Sequence, residues 1–387
     1  MFKLSRVGDT EQPRRVCILG IGGGGCRAVG AVEAGSGGPA VVAVNTDDRS
    51  LEESGVLTKI RLGRTNSDAD GTGGDAEQGR MLAEHDIEMI RGLFTAADVA
   101  VIVTCLGGGT GSGATPVVVK AARDAGVFTI VLATSPFEFE GDNRKKVAEA
   151  GMRALASAAD LVCVIDNTRL FAAVGGDNHA EVFKRADRRL AEGLEGLWQV
   201  LVQPAFMGID LADLRGLAAK SGGICLFGFG DGHGVTRGMS AVKELRDGPV
   251  FEEGKALRSA GAAVVCVAGS QDMTLVEVGD VMAEIAKDTP SDCNLIMGSV
   301  VNAEWVDRLL VLVFVTDRKR VVRSKPVADT ERSVPVKGRR NKDRERQNKL
   351  KLDMRGKGRF KGVEATILDG QDLDVPTYIR LGIKLDD

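Results

Sequence analysis

The sequence lacks the patterns of a metalloprotein or of a disulfide-stabilised protein. Its cysteines form no CxxC pair, and its three histidines stand far apart. These spacings argue against a zinc site, a disulfide framework or any other direct metal ligand set. Most of the cysteines stand in apolar, strand-like runs, which predicts buried thiols in a reducing compartment. The residues concerned are Cys17, Cys26, Cys105, Cys163, Cys225, Cys266, Cys293, His85, His179 and His233.

Long apolar runs are also missing. No stretch approaches the ~20 residues that a membrane-spanning helix needs, and residues 1–13 show no signal-peptide pattern. We therefore expect a cytoplasmic protein whose first 13 residues form a loose leader. The chain has 387 residues, 43% of them apolar, which is enough for two domains and a tail.

The charge is distributed unevenly along the chain. The formal net charge is −3, yet the stretch from Arg318 to Val363 holds eighteen Lys and Arg against five Asp and Glu. The remainder of the chain is therefore strongly acidic. A basic stretch interrupted by Gly and Pro is typical of a solvated, disordered linker, and contact with nucleic acid or anionic lipid is the less favoured alternative.

A strand followed by a glycine-rich turn is the most informative stretch. Residues 99–116 read VAVIVTCLGGGTGSGATP. The apolar run predicts a strand buried on both faces of a parallel sheet. The glycines let several backbone N–H groups converge on one anion, and the helix predicted from Val117 to Ala125 adds its N-terminal dipole. This combination predicts a phosphate-binding loop.

A second glycine loop lies near the start of the chain. Residues 20–25, GIGGGG, follow a short apolar strand, and Asp47 ends the next strand about twenty residues later. This is the spacing of a dinucleotide fingerprint, which taken alone suggests a dehydrogenase. Two phosphate-type loops at neighbouring strand ends instead suggest one nucleotide held from both sides.

The central loop GGGTGSG, followed by Ala114, Thr115 and Pro116, resembles the signature loop of the tubulin/FtsZ family. Ser112 stands where that family usually has Thr. The segment AVNTD at residues 43–47 and FEFEGDNR at residues 137–144 also resemble segments of that family, most closely of bacterial FtsZ. The resemblance implies a GTPase that uses GTP, GDP and Mg²⁺.

The resemblance also implies a set of nucleotide-binding residues. Arg27 and Arg188 depart from the family pattern, which has Asn and a guanine-reading Asp at these places. Either Asp187 replaces that acid or guanine selectivity is weakened, because Arg cannot accept a hydrogen bond. The implied residues are Gly22, Gly23, Gly24, Gly25, Arg27, Asn45, Thr46, Asp47, Gly73, Gly74, Gly107, Gly108, Gly109, Thr110, Gly111, Ser112, Gly113, Glu140, Arg144, Asn167, Asp187 and Arg188.

Two acids in the second half of the chain are the implied catalytic residues. Asp210 and Asp213 keep the spacing of the family loop that enters the nucleotide pocket of the next subunit. Without the resemblance, a capped helix start with an acidic first turn is the favoured interpretation of these acids. Gly208 replaces a family Asn, so that loop should be looser.

The remaining segments suggest a second domain and a tail. We expect a leader (1–13), a nucleotide-binding domain (14–180), a central helix (181–204), a smaller α/β domain (205–317), a basic linker (318–365) and a terminal peptide (366–387). The terminal peptide resembles the FtsZ segment that binds membrane-tethering and division-regulating partners. Its implied contact residues are Asp374, Val375, Pro376, Tyr378, Ile379 and Arg380.

The predicted fold is α/β, with a parallel Rossmann-like sheet, a long helix, a second smaller α/β domain and a disordered C-terminal tail. The predicted function is a GTPase that polymerises head to tail in a division ring at midcell, with the neighbouring subunit completing the active site. A divergent paralogue with weak GTPase activity or another filament role is the alternative within this class. A dinucleotide-dependent oxidoreductase is the alternative from another class.

Overall fold

The structure is a computed structural model that describes residues 14–33, 38–63, 71–175, 178–203, 205–207, 211–221, 223–317, 367–368 and 371–372. The chain divides into two compact units, Met1–Lys325 and Pro326–Asp387. In the second unit the structure describes one short hairpin, β12 (Ile367–Leu368) paired with β13 (Gln371–Asp372). The leader, the whole linker and the terminal contact residues lie outside the described residues.

The first half of the larger unit alternates strands with helices. Its strands are β1 (Val16–Ile21), β2 (Ala40–Asn45), β3 (Thr58–Arg61), β4 (Val99–Cys105), β5 (Phe128–Ser135) and β6 (Leu161–Asp166). Its helices are α1 (Gly22–Gly30), α2 (Asp48–Glu53), α3 (Ala76–His85), α4 (Ile87–Gly92), α5 (Gly109–Asp124), a 3-10 turn (Glu138–Glu140), α6 (Asp142–Ala158) and α7 (Asn167–Val174).

A long helix leads into the second half. The helices are α8 (His179–Val202), α9 (Leu211–Ser221), α10 (Arg237–Asp247), α11 (Lys255–Arg258) and α12 (Leu275–Asp288). The strands are β7 (Ala205–Met207), β8 (Ile224–His233), β9 (Ala260–Gly269), β10 (Asn294–Val301) and β11 (Arg308–Asp317).

One sheet runs through both halves of the larger unit. Its strand order is β3-β2-β1-β4-β5-β6-β8-β11-β9-β10-β7. The strands from β3 to β6 are all parallel, and β6 joins the parallel β8 through two residue pairs, Val162 with Ile224 and Cys163 with Cys225. In the second half, β11 runs antiparallel to its neighbours β8 and β9.

Helices cover the parallel sheet on both faces, which explains its uninterrupted apolar strands. The first six residues of β4 are buried, and its side chains alternate between two hydrophobic clusters on opposite faces. α8 contributes Leu190, Leu194 and Leu197 to one of these clusters. The α/β class, the parallel sheet, the long helix and the second α/β half are as the sequence predicts. The domain boundaries stay predictions.

Three helix boundaries differ from the sequence prediction. The sequence predicts helix starts near Cys26 and at Val117, but α1 begins at Gly22 and α5 at Gly109, so both helices start inside their glycine loops. The apolar spacing of residues 76–94 predicts a single helix from Ala76 to Phe94, but the structure has two helices there, α3 and α4, separated at Asp86. The Asp86 carboxylate accepts a hydrogen bond from the Gly63 N–H at 2.6 Å, which ties this break to the end of β3.

One predicted core position on α3 is also wrong. The same helical spacing predicts that Met81 lies on the inner face of the helix, but the residue is 58% exposed. Glycines bring α3 against α5 at that point, since a Cβ on Gly113 would lie 1.9 Å from the carbonyl oxygen of Ala76. Contact between backbones therefore replaces part of the side-chain packing that the helical period predicts.

Candidate functional site: a cleft between two glycine loops

The two glycine loops lie side by side at the carboxyl edge of the parallel sheet. β1 and β4 are neighbours, and their last paired residues are Ile21 and Thr104. Gly22, with φ of +76°, leads from β1 into α1, and a Cβ there would come 3.0 Å from the backbone nitrogen of Gly111. Glycine is therefore needed both for the backbone angle and for the contact between the loops.

The central loop forms the first turn of α5. Gly107 has φ of +101°, and its N–H donates to the Ser112 hydroxyl at 2.9 Å. The first intrahelical bond runs from the Ser112 N–H to the Gly108 carbonyl. The preceding N–H groups of Gly109, Thr110 and Gly111 have no intrahelical acceptor, as at any helix start, and lie at the positive end of the helix dipole. This geometry suits an anion.

The AVNTD segment supports the loop from behind. The Thr46 and Thr110 hydroxyls are 2.6 Å apart, and the Thr46 N–H donates to Asn45 Oδ1 at 2.8 Å. Asp47 caps α2, and its hydrogen bond with Ser50 contributes most to lowering the pKa of its carboxyl. Asn45 and Thr46 are buried, so these side chains hold the neighbouring loop in place.

A cleft of about 680 Å³ opens above the two loops. Eleven of the predicted nucleotide-binding residues line it, from both loops and from the segments after β5 and β6. They are Gly22, Gly23, Gly24, Arg27, Gly108, Gly109, Thr110, Gly111, Glu140, Arg144 and Asn167. The other predicted residues are not among its lining residues: Gly25, Asn45, Thr46, Asp47, Gly73, Gly74, Gly107, Ser112, Gly113, Asp187 and Arg188.

The sequence prediction missed an aromatic wall of this cleft. Phe137 and Phe139 stack with ring centroids 4.8 Å apart, and Phe183 from α8 meets Phe137 edge-on at 6.3 Å. All three line the cleft, and Phe171 packs behind them. Such rings suit the flat face of a base. Phe137 and Phe139 were visible in the FEFEGDNR segment, whereas Phe183 comes from a distant helix.

Glu140 and Arg144 form an ion pair at the rim of the cleft. Glu140 also accepts a hydrogen bond from the Phe137 N–H at 2.9 Å, which fixes the turn between β5 and α6. The Arg144 side chain is 58% exposed, so its guanidinium can reach a ligand in the cleft. The pair therefore stabilises the turn and also lines the cleft with an acceptor, Glu140, and a donor, Arg144.

Of Asp187 and Arg188 on α8, it is Asp187 that contacts a residue lining the cleft. Its carboxylate accepts a hydrogen bond from Arg27 Nε at 3.1 Å, and the Arg27 guanidinium lies 5.1 Å from the Phe183 ring centroid. Arg188 pairs with Glu33 and Glu195 and donates to the Ala31 carbonyl. The acid Asp187 therefore stands near the aromatic wall, one position before the place where the family pattern has its Asp.

The environment of Asp187 predicts a pH-dependent stability. Burial raises the pKa of this carboxyl, and the charge and hydrogen bond of Arg27 partly offset that rise. A raised folded-state pKa means that stability falls as pH rises through the window between the unfolded and folded values. We expect Asp187→Asn to unfold at higher urea concentration than the wild type at pH 7, with the difference shrinking towards pH 4.

Asp98 provides a control of opposite sign. Its hydrogen bond with Arg15 lowers the pKa of its carboxyl, so Asp98→Asn should unfold more readily than the wild type at pH 7 and approach it as pH falls. Urea unfolding of both variants without nucleotide checks this. If Asp187→Asn is destabilised at pH 7 to the same degree as Asp98→Asn, burial does not raise the pKa of the Asp187 carboxyl as stated.

Of the two predicted catalytic acids, the structure describes Asp213, which lies away from this cleft. Asp210 is outside the described residues. Asp213 stands in the first turn of α9, and two residues later the Arg215 guanidinium lies 5.1 Å from the ring centroid of Phe128, the first residue of β5. The glycine loops follow the carboxyl ends of β1 and β4. α9 is therefore at the amino edge of the parallel sheet, opposite the cleft.

The described part of the chain offers no cluster of three or more His, Cys, Asp or Glu residues that could hold a metal ion. Among the same residues, no helix is both long and apolar enough to cross a bilayer. The cysteines differ in burial: Cys26, Cys163, Cys225 and Cys266 are buried, as predicted for most of them, whereas the other three are partly exposed.

Two protein-family models match the chain. Residues 15–175 match the GTPase domain of the Tubulin/FtsZ family, and residues 223–319 match the C-terminal domain of the FtsZ family. The chain is 34% identical over 304 residues to Cell division protein FtsZ 1 of Archaeoglobus fulgidus, covering 78% of this chain and 82% of that protein. These matches do not favour an oxidoreductase.

Solved structures give the same result. An FtsZ dimer from M. jannaschii matches with a TM-score of 0.69 at 27% identity, covering 79% of this chain and 89% of that one. CetZ2 from Haloferax volcanii, solved as a protofilament with GTPγS bound, matches with a TM-score of 0.63 at 23% identity and coverages of 80% and 94%, which indicates the shared fold alone. Since the sequence relative is archaeal, a bacterial origin is not established.

Proposed function

The chain belongs to the tubulin/FtsZ family, and on that premise we propose that it binds GTP in the cleft and hydrolyses it at junctions between copies stacked head to tail. In each junction one copy contributes the glycine loops and the next contributes Asp210 and Asp213. A head-to-tail contact of this kind is heterologous, and it builds an open filament when its rotation does not close.

The position of α9 is the observation that carries this proposal. The glycine loop after β4 and the contact between Arg215 and Phe128 lie at opposite ends of paired parallel strands. A strand of seven residues such as β4 spans about 23 Å at 3.3 Å per residue. Asp213 therefore cannot reach the phosphate loop of its own chain. In a head-to-tail stack, the Asp213 of one copy can instead meet the phosphate loop of the next copy.

Each part of the cleft has a role in this proposal. The N–H groups at the start of α5 and the glycines of the first loop hold phosphate oxygens. Phe183 and its neighbours stack on the base, Asn167 provides a polar group for its edge, and Asp187 holds the Arg27 side chain beside it. Glu140 and Arg144 bind on the sugar side, where a carboxylate accepts from hydroxyls and a guanidinium donates.

Mg²⁺ fits this set of groups as a cation held mainly by phosphate oxygens and water. The phosphate loop offers the Thr110 hydroxyl, and Mg²⁺ usually takes few protein ligands when phosphates are present. When bound, it neutralises charge on the β- and γ-phosphates. Asp210 and Asp213 would polarise the water that attacks the γ-phosphate, giving GDP and inorganic phosphate.

The concentration dependence of hydrolysis tests this function. We expect the GTP turnover rate per chain to rise roughly tenfold as the chain concentration passes the assembly threshold, because each active site needs two copies. Phosphate release is measured across a dilution series, and sedimentation with GTP or GDP measures assembly. A rate per chain that stays constant in dilution would rule out catalysis across a junction. Retention of NAD in preference to GTP would overturn GTP binding itself.

We also propose the finer biological role from the resemblance. The filament would act in a division ring at midcell in the cytoplasm, and the terminal peptide with Val375, Tyr378 and Ile379 would bind membrane-tethering and division-regulating proteins. A divergent paralogue with another filament role is the second candidate. Arg188 pairs with Glu33 and Glu195 and does not line the cleft, so this substitution gives little support to weak nucleotide binding.

A further inference from the structure

Two cysteines meet where the two halves of the large sheet join. Cys163 on β6 and Cys225 on β8 are paired in parallel register, and their sulfur atoms are 3.2 Å apart. Both thiols are free and buried, and both belong to the same hydrophobic cluster. The sequence separates them by 62 positions, so their proximity could not be predicted from spacing.

The strand geometry at this point matches what a disulfide requires. Neighbouring strands lie about 4.8 Å apart, and the Cα atoms of a disulfide are about 4.4–6.8 Å apart. Cys163 and Cys225 are direct partners with side chains on the same face of the sheet. A bond between their sulfurs therefore needs no shift in register and little movement of the backbone.

We propose that Cys163 and Cys225 form a reversible intramolecular disulfide when the folded protein meets a peroxide. In the first step the Cys225 sulfur is oxidised to a sulfenic acid by hydrogen peroxide, which is reduced to water. In the second step the Cys163 thiol attacks that sulfur, the S–S bond forms, and a second water leaves. Two thiols and one peroxide thus give one disulfide and two waters.

The surroundings assign different roles to the two sulfurs. The Cys225 thiol is buried, but the residue lines a cleft of about 250 Å³ together with Arg169, Lys255 and Ser259, and in this proposal a peroxide approaches the sulfur from that cleft. Cys163 does not line that cleft, and burial raises the pKa of its thiol well above its usual value, with Cys225 adding to the shift. Cys225 is therefore oxidised first, and Cys163 resolves the product because it is adjacent.

The disulfide would bind together two strands that share two residue pairs. It closes a long loop between the parallel half of the sheet and the mixed half, which restricts the unfolded chain. For a chain of this size we expect the oxidised protein to unfold roughly 5 °C above the reduced protein. This proposal goes beyond nucleotide binding and does not depend on it.

Thiol counting on the full chain tests the proposal. The native protein is treated with hydrogen peroxide, alkylated under denaturing conditions and digested. We expect five free thiols instead of the seven in the reduced protein, a cross-linked peptide pair containing Cys163 and Cys225, and full recovery of seven thiols after dithiothreitol. The Cys225→Ser variant has six thiols, and all six should remain free of disulfide after the peroxide treatment, because Cys163 then has no partner.

Cys266→Ser is the matched control, because Cys266 is a buried thiol on the neighbouring part of the same sheet. It should still form the Cys163–Cys225 bond. Circular dichroism before treatment shows that each variant is folded. Seven free thiols in the treated wild type, or a disulfide between other cysteines, would overturn the proposal. So would a disulfide that forms only in urea, since the folded geometry would then not be its cause.

Discussion

Replacing Asp213 with alanine is expected to lower the GTP turnover rate by about 10²–10³-fold, the loss typical of a positioned transition-state group. Affinity for GDP should stay unchanged, because α9 lies at the sheet edge opposite the cleft. Phosphate release at saturating GTP and titration with a fluorescent GDP analogue measure the two quantities. Asp280→Ala, which removes an exposed acid from α12, is the matched control and should keep the wild-type rate.

A mixing experiment separates a shared site from an internal one. Asp213→Ala keeps an intact phosphate loop, and a variant with a blocked loop keeps its acids. Combined in equal amounts, the two inactive proteins should recover up to about a quarter of the wild-type rate if copies enter filaments at random. Unchanged turnover in Asp213→Ala contradicts its role, and a mixture that co-sediments without recovering activity contradicts a site shared between copies.

Gly108→Asp is expected to be that blocked variant, with nucleotide affinity reduced at least about a hundredfold. Gly108 lines the cleft, has φ of −93°, and a Cβ there would meet no atom within 4 Å. The substitution is therefore compatible with the fold and places a carboxylate where the phosphates bind. Like charges at close range in a partly enclosed cleft repel strongly. GDP titration and thermal unfolding measure affinity and stability.

Two other glycines show that the effect depends on position. A Cβ on Gly109 would come 2.1 Å from the Thr72 hydroxyl, so Gly109→Asp should damage the fold as well as binding. Gly279 on α12 is also open, and Gly279→Asp adds the same charge far from the loops and should leave GDP affinity unchanged. If Gly108→Asp is folded and binds GDP normally, the central loop is not the phosphate site.

The sequence predicted most of the sheet and one side of the cleft. The runs at residues 16–21, 99–105 and 128–135 are apolar because both sheet faces are covered. Glycine loops that follow two of these strands are typical of an edge that binds phosphate. The eleven predicted residues that line the cleft belong, apart from Arg27 in the last turn of α1, to short segments that follow a strand or open a helix. Residues that are close in sequence in this way stay close in the structure, so local patterns can predict them.

The remaining features depend on contacts between distant segments. Phe183 faces Phe137 across 46 positions, and Arg27 meets Asp187 across 160 positions. The helix and strand periods of the sequence act over short distances, so they do not indicate these contacts. The helix starts at Gly22 and Gly109 were predicted too late because glycine has poor helix propensity, which close packing between backbones overrides here. The sequence left Asp187 and Arg188 as alternatives, and in the structure it is Asp187 that contacts Arg27.

The length of α8 has a consequence for assembly. This helix has 24 residues and spans about 36 Å without interruption. Phe183 and Asp187 stand near its beginning, and the segment leading to α9 follows its end. In the head-to-tail stack proposed above, the length of this helix would therefore set how far apart the nucleotide cleft and α9 of one copy lie along the filament.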